Sequence, residues 1–351
     1  MPATIRGGSV GILVLAALLA CTGSDVPPIT STSEEDGTGE YRIRPLVSSF
    51  SEHPSYAYAV NDSGVVVGSM GGRPVRWIID ESSHGSGPEP LLRDGVDPGP
   101  GEARSVNGSG MVVGWYGTDT LRAFVWTQPA GMRVLGPPPG LTAGIAHDIN
   151  DDGEIVGSGS PDPAFRDPHG GEAVRWSVDG EGAVVSTEIL GSAGGVGAGA
   201  HAINGHGDVV GVRWIDAYET EGVLWIEDEG PRTIPITARS LDLDDRRRVA
   251  GAVDGRAAVW SEGRILAVAP SGSVARGLNG GGLVVGDLTL GDVDQEKGVG
   301  FVLNGGDFSL LEGLSAIDHT RARAISGSGL VVGESHIPEV GVSDAVFWIL
   351  R

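Results

Sequence analysis

Short apolar runs alternate with glycine-rich polar turns along most of the chain, and the alternation repeats. Each copy has a small residue, an aliphatic residue three positions later, an asparagine, a glycine three residues further on, and aliphatic residues ending in glycine. In the fifth copy Asp244 replaces the asparagine and Arg247 replaces the first glycine, and in the seventh copy Ser326 replaces the asparagine. The seven copies begin at Ala57, Ala103, Ala146, Ala200, Ser240, Ala275 and Ala322.

A tryptophan follows most copies after a loop of variable length. These landmarks are Trp77, Trp126, Trp176, Trp225, Trp260 and Trp348, with Leu303 at the corresponding place in the sixth copy. The two landmarks together recur about every 44 residues, a period typical of propellers and solenoids.

Each unit contains four short strand signals, bounded by Gly, Pro, Asn or Asp. In the third unit they are Arg133–Gly136, Ile145–Asn150, Glu154–Gly157 and Ala173–Trp176. The asparagine predicts a side-chain cap on the hairpin turn, and the glycine predicts a left-handed backbone conformation. Because Arg247 breaks this pattern, we expect a distorted turn in the fifth unit.

Four strands in each of seven units predict an all-β fold, a seven-bladed β-propeller. If the first strand signal is the outer strand of the preceding blade, then Tyr41–Leu46 completes the last blade, which ends at Trp348–Arg351. The N-terminal strand would then close the ring and remove the exposed ends. An open β-solenoid is the alternative architecture.

The N-terminus has the features of an export signal. Arg6 precedes the apolar segment Val10–Ala20, which is too short to span a bilayer. We expect residues 1–20 to be a signal peptide, residues 21–40 a flexible polar tether and residues 41–351 the propeller domain. Cys21 is the only cysteine, so the folded domain has no disulfide or thiolate metal site.

The chain is strongly acidic. The formal net charge is −22, and removal of residues 1–20, which carry only Arg6, makes it −23. Like-charge repulsion argues against nucleic acid as a general partner. We also expect a monomer that contacts a membrane only through a lipid anchor.

Two segments resemble known bacterial families. Leu18-Leu19-Ala20-Cys21 resembles the lipobox of bacterial lipoproteins, which implies that Cys21 is the lipidated first residue of the mature chain. The unit at Ala103–Gly114, with Ala123-Phe-Val-Trp126, resembles the HAF family of bacterial extracellular repeats. The second resemblance covers nearly all of the chain after the tether and implies an exported protein at the periplasmic or cell-surface face of the envelope. It carries no catalytic residue set.

A calcium site is one hypothesis for the third unit. Asp148, Asn150 and Asp152, followed by Gly153, match the opening of a calcium-binding loop. A calcium ion takes six or more oxygen ligands, and Val156 and Gly159 occupy the obvious later positions. A hairpin turn without metal is therefore favoured, and no cofactor is expected.

A second hypothesis concerns the residue after each leading small residue. If this strand is the innermost of each blade, the side chains at this position form a ring around the axis and attract an anionic ligand. The alternative is that each arginine pairs with a carboxylate such as Glu102. The ring residues are Tyr58, Arg104, His147, His201, Leu241, Arg276 and Arg323.

Four aromatic residues outside the tryptophan landmark are also candidates. Trp115, Tyr116, Trp214 and Tyr218 follow the closing glycines, where they are placed either to contact a sugar or protein partner or to pad a long hairpin. Motifs of nucleophilic hydrolases, zinc proteases and phosphate loops are absent from the sequence. We therefore expect a non-catalytic binding or scaffold module whose partner is a glycan, an anionic ligand or an envelope protein. An envelope enzyme that acts on polysaccharide at the propeller axis is the alternative.

Overall fold

The described part of the protein is built of β-strands. The computed structural model describes residues 41–46, 53–80, 82–165, 171–227, 229–291, 297–338 and 341–350. These residues form seven four-stranded antiparallel sheets, which confirms the seven-bladed propeller. Within the same ranges no helix is long and apolar enough to cross a membrane. The signal peptide, Cys21 and the tether lie outside them and stay predictions.

The blades follow one another along the chain, each running from an inner strand to an outer strand. The first three blades consist of β2 (Ser55–Val60), β3 (Val65–Met70), β4 (Arg73–Ile79) and β5 (Gly85–Pro90); β6 (Gly101–Val106), β7 (Val112–Tyr116), β8 (Arg122–Thr127) and β9 (Gly131–Val134); and β10 (Ala143–Ile149), β11 (Glu154–Ser160), β12 (Glu172–Val178) and β13 (Val184–Ile189). The fourth and fifth consist of β14 (Gly197–Ile203), β15 (Val209–Trp214), β16 (Thr220–Ile226) and β17 (Gly230–Ile234); and β18 (Thr237–Leu243), β19 (Val249–Val253), β20 (Arg256–Ser261) and β21 (Arg264–Ser271).

The last blade combines both ends of the described chain. The sixth blade is β22 (Ser273–Leu278), β23 (Leu283–Leu290), β24 (Lys297–Asn304) and β25 (Asp307–Leu311), and the seventh is β26 (His319–Ile325), β27 (Val331–Ile337), β28 (Val342–Leu350) and β1 (Tyr41–Pro45). Tyr41 pairs with Leu350 and Pro45 with Val346. The N-terminal strand therefore closes the ring, as the strand order in the repeat predicted.

Apolar side chains of neighbouring blades share their cores. One cluster joins Val113 and Val125 of the second blade to Ile155 and Trp176 of the third. Trp77, like Trp176, is fully buried, so the repeated tryptophan is a packing residue. Burial of this kind stabilises a fold by roughly 1.5–3 kcal/mol per large side chain.

The turn asparagines join the blades as well as capping their own turns. Asn61 Oδ1 accepts hydrogen bonds from the backbone amides of Ser63 and Val65, at 3.1 and 3.0 Å. Asn61 Nδ2 donates to the carbonyl of Asn107 in the next blade at 2.9 Å. The same inter-blade bond is donated by Asn107, Asn150, Asn204 and Asn279. The repeat therefore specifies blade contacts as well as hairpins.

The expectation of a distorted fifth turn is wrong. Arg247 adopts the left-handed conformation with φ 55°, and its amide donates to the Asp244 carbonyl at 2.9 Å, so the turn keeps its hydrogen bond. An ion pair with Asp208 of the neighbouring blade, at 2.8 Å, holds Arg247 in place. Asp244 has no side-chain amide to donate the inter-blade hydrogen bond. Its ion-pair partner Arg248 donates to the Asn279 carbonyl of the next blade instead.

Candidate functional site

The ring residues of the sequence analysis sit at β-bulges. In the inner strand of six blades, pairing with the next strand skips one residue. In the fifth blade the irregularity is wider and includes Leu241. A bulge re-aims the side chain of the extra residue and bends the strand. The skipped residues are Tyr58, Arg104, His147, His201, Arg276 and Arg323.

The closing glycine of the repeat makes room for this bulge. A Cβ on Gly68 would lie 1.9 Å from the carbonyl oxygen of Tyr56, and a Cβ on Gly114 would lie 2.0 Å from that of Glu102. Side chains do not approach a carbonyl this closely, so only glycine fits opposite the bulge. The same contact is found for Gly157, Gly211, Gly286 and Gly333. The glycine is therefore part of what aims the ring.

All seven ring side chains line one cavity on the propeller axis. This axial cavity has a volume of about 420 Å³, within the range of small-ligand sites. The structure thus brings together the residues that the sequence singled out. The other cavity-lining residues are Ala59, Val60, Ser105, Val106, Asp148, Ala202, Asp242, Ala324 and Ile325.

The arginines around the cavity are ion-paired, as the alternative to the ring hypothesis expected. Arg104 Nη2 lies 2.7 Å from Glu102 Oε2, and Arg323 Nη2 donates to Glu334 Oε1 at 2.9 Å. Arg276 pairs with Asp287 on the second strand of its blade. The arginines therefore line the cavity and bind carboxylates at the same time.

Tyr58 connects the arginine pairs across blades. The guanidinium carbons of Arg104 and Arg323 each lie 4.9 Å from the centre of the Tyr58 ring, an arrangement typical of cation–π contacts. The Tyr58 hydroxyl donates to Glu102 Oε1 at 3.2 Å. Burial, together with Glu102, raises the pKa of Tyr58 to about 12, so the phenol is neutral at pH 7.

Arg321 completes the charged network. Its guanidinium lies 3.5 Å from Asp287 and 3.2 Å from Glu334, which are the partners of Arg276 and Arg323. We call the four arginines 104, 276, 321 and 323 the arginine belt; they lie in the second, sixth and seventh blades, and Tyr58 of the first blade lies between Arg104 and Arg323. Three of them, all except Arg321, line the cavity and make this side of its wall charged.

The other half of the wall carries neutral imidazoles. Burial lowers the pKa of His201 to about 4. Burial, then the charges of His201 and Arg104, lowers the pKa of His147 well below its usual value of 6.5. The two rings meet edge to face with centroids 5.9 Å apart, and Ser158 Oγ lies 3.4 Å from His147 Nε2. At pH 7 both side chains are hydrogen-bonding groups without charge.

Two half-buried carboxyl groups lie beside the imidazoles. Asp148 accepts hydrogen bonds from Ser105 Oγ at 2.6 Å and from the Ile203 amide at 2.9 Å. Asp242 accepts one from the Leu278 amide at 2.7 Å. Burial raises the pKa of Asp148, and burial together with the nearby Asp148 raises that of Asp242 to about 7. Each aspartate ties its own blade to a neighbour.

The loop considered for calcium is a hairpin turn in this structure. Asp148 points to the axis, as its hydrogen bonds show, whereas Asn150 Oδ1 caps the turn by accepting from the amides of Asp152 and Glu154, at 3.1 and 2.9 Å. Asp152 itself is exposed. Among the residues that the structure describes, no three His, Cys, Asp or Glu side chains are grouped to share a metal ion.

The four extra aromatic residues do not form one surface. Trp115 is half-buried, and its Nε1 donates to Glu102 Oε2 at 3.3 Å, beside the arginine belt. Tyr116 is buried in the second blade, and its hydroxyl accepts from Arg93. Trp214 lies against the fourth blade, whereas Tyr218 is almost fully exposed. Trp115 is the member of this group that is joined to the arginine belt through Glu102.

Sequence reasoning missed Asp242 as a site residue. Its signal was its place in the repeat, because Asp148 and Asp242 occupy the position after the ring residue, where other copies have small residues such as Ala59 and Ala202. An acidic residue at a repeat position that is otherwise occupied by small residues indicates a side chain that lies at the axis. Sequence alone could not show that its partner is a backbone amide of the next blade.

Comparison with solved structures shows the same fold at low sequence identity. A streptogramin B lyase superposes with a TM-score of 0.53 at 8% identity, over 89% of this chain and 98% of the lyase. A puromycin-hydrolyzing peptidase of Mycobacterium tuberculosis gives 0.52 at 16% identity, over 85% of this chain and 51% of the peptidase, so the chain spans about half of that protein. A gluconolactonase from Xanthomonas campestris gives 0.43 at 15% identity, over 78% of this chain and 91% of the lactonase. No protein-family model and no curated protein sequence matches the chain. At these identities the likeness concerns the fold alone.

Proposed function

We propose that the protein is a non-catalytic binding module of the bacterial cell envelope that holds a small polar ligand in its axial cavity. The observation that carries this proposal is the convergence of all seven ring positions on one cavity. Six of them bear charged or polar side chains, and each of these six residues sits at a bulge of its inner strand. A fold that needed only a packed axis would fill it with apolar residues.

The location of the protein is part of the proposal. The lipobox-like end of the apolar N-terminal segment supports export and lipidation at Cys21, and the likeness of the repeat to HAF proteins supports an extracellular or periplasmic position. Changing Cys21 to Ser should release the protein from the membrane fraction of its host and abolish incorporation of a radiolabelled fatty acid. Unchanged membrane association and labelling would contradict the lipid anchor.

Binding can be tested without knowing the ligand. A glycan array and a metabolite screen with the purified full-length protein should give binders whose signal falls in Arg104→Ala and Arg323→Ala. The matched control is Arg213→Ala, because Arg213 is ion-paired with Glu221 but does not line the cavity. If no binder emerges, or if all three variants bind alike, the axial site is not the function of the protein.

An enzyme at the axis is the second candidate, and one observation favours it. Asp148 and Asp242 are neighbouring carboxylates in the cavity, and the pKa of Asp242, at about 7, suits proton transfer near neutral pH. Both carboxyl groups also accept hydrogen bonds from backbone amides of neighbouring blades, which is a structural role and argues against the enzyme. Release of reducing ends from envelope polysaccharide that is lost in Asp242→Asn, with the variant still folded, would establish the enzyme.

A further inference from the structure

The guanidinium members of the ion pairs line the axial cavity, whereas their carboxylate partners do not. Arg104, Arg276 and Arg323 are lining residues, and Glu102, Asp287 and Glu334, which pair with them, are not. Asp148 and Asp242 also line the cavity, but burial raises the pKa of both carboxyl groups, which lowers their negative charge near neutral pH. The charged side chains that the cavity presents to a ligand are therefore mainly cationic.

The guanidinium groups are also the more accessible members of their pairs. The side chain of Arg104 is 34% exposed and that of Glu102 23%, and Arg323 is 20% exposed where Glu334 is 5%. Arg276 is 20% exposed and Asp287 15%. Within each of these ion pairs a ligand entering the cavity meets the cation before the carboxylate, which favours an anion over a cation.

The opposite wall is suited to neutral polar groups. His147 and His201 are uncharged at pH 7 and can each donate and accept a hydrogen bond. His201 Nδ1 and Arg104 Nε are buried and have no hydrogen-bond partner among the described residues. Such unsatisfied groups cost about 1–3 kcal/mol each, which a ligand that engages them after side-chain adjustment would offset.

We infer that the axial cavity binds a small sugar acid, with one carboxylate on the arginine belt and hydroxyl groups on the imidazole wall. This inference rests on the proposed binding function and names its ligand class. A carboxylate matches the three cavity-lining arginines, because guanidinium groups bind carboxylates through paired, charge-assisted hydrogen bonds. Several hydroxyl groups match the alternating donors and acceptors of His147, His201 and Asp148. A cavity of about 420 Å³ accepts a ligand of one or two sugar rings.

Titration calorimetry with defined sugars tests this inference. The full-length protein is titrated with glucuronate and galacturonate, with glucose and galactose as uncharged counterparts, and with glucose 6-phosphate. We expect a uronate to bind, its neutral parent to bind at least tenfold more weakly, and Arg323→Gln to weaken the uronate at least tenfold. The control is Arg213→Gln, because the Arg213 side chain is 20% exposed, like that of Arg323, and is also paired with a glutamate. This variant should bind the uronate like the unmodified protein.

The outcomes separate the ligand class from the binding function. Equal binding of neutral and acidic sugars, or binding of the phosphate alone, would overturn the sugar-acid inference and leave the binding module standing. No binding of either uronate would overturn it as well, while the wider ligand screen decides the proposed function independently. If Arg323→Gln fails to fold, as judged by circular dichroism, the more exposed Arg104→Gln takes its place with the same expected loss.

Discussion

Replacing Gly114 by alanine should push a methyl group into the backbone of the bulged strand. The new Cβ would lie 2.0 Å from the Glu102 carbonyl oxygen and 3.0 Å from Ala103 Cα. Both contacts involve backbone atoms, so no side-chain rotation relieves them. Strands β6 and β7 must separate by about 1 Å or more to restore ordinary van der Waals distances.

The cost follows from what this separation breaks. Ala103 pairs with Gly114 and Ser105 with Val113, so the ladder hydrogen bonds around the bulge lengthen beyond their useful range. Buried backbone groups that lose a partner cost about 1–3 kcal/mol each, and overpacking adds a similar amount. We therefore expect Gly114→Ala to lower the free energy of unfolding by roughly 4 kcal/mol.

Two other glycines of the same region separate the possible causes. Gly110 has φ 84° and Gly136 has an ordinary φ, and a Cβ on either would meet no atom within 4 Å. Gly110→Ala should cost about 1–2 kcal/mol through backbone strain alone, and Gly136→Ala should cost close to nothing. Urea unfolding followed by tryptophan fluorescence measures all three. If Gly114→Ala costs no more than Gly110→Ala, the bulge does not explain the closing glycine.

Three further predictions concern buried polar groups. Asn107→Asp keeps the turn cap but removes the donor to the Asn150 carbonyl, so urea unfolding should show a loss of about 1–3 kcal/mol; an unchanged midpoint would show that the inter-blade bond contributes nothing. The pKa of His201 is depressed in the folded state, so the stability that its neutral form contributes is lost as pH falls from 6.5 towards 4. Between pH 7 and 4 the free energy of unfolding of the unmodified protein should therefore fall by roughly 3 kcal/mol more than that of His201→Gln. The pKa of Asp242 is raised in the folded state, so the stability that its protonated form contributes is lost as pH rises from 3.8 towards 7. Between pH 4 and 8 the free energy of unfolding of the unmodified protein should therefore fall by roughly 4 kcal/mol more than that of Asp242→Asn. If the difference in unfolding free energy between variant and unmodified protein does not change with pH, the depressed pKa of His201 or the raised pKa of Asp242 is refuted.

The repeat made the fold predictable, because its landmarks mark turns and packing residues that every blade needs. Gly64 takes the predicted left-handed conformation and Trp77 is buried, and the spare strand at Tyr41 pairs where the strand order required. The ring was also predictable, since one register carried Arg, His or Tyr. Sequence could not show the bulge itself, because the skipped residue is defined only by pairing with another strand.

Partners from other blades were the other part that sequence could not supply. The sequence offered, as an alternative, that each ring arginine pairs with a carboxylate such as Glu102, and Arg104 does pair with Glu102, two residues away on the same strand. The contact of Arg321 with Asp287 depends on how the sixth and seventh blades are rotated about the axis, whereas its contact with Glu334 joins neighbouring strands of one blade. That rotation follows from the packing of the whole ring and leaves no local trace in the sequence.

The pairing of β1 with β28 sets an order of events during folding. Tyr41 is synthesised long before Leu350, so β1 must wait for the strand with which it pairs. Until they meet, β28 presents a bare edge with unused backbone donors and acceptors. A bare edge pairs readily with a strand of another molecule. A newly made chain is therefore most prone to pair with a second copy in the interval before the ring closes. The rate at which β1 docks on β28 determines how long this interval lasts.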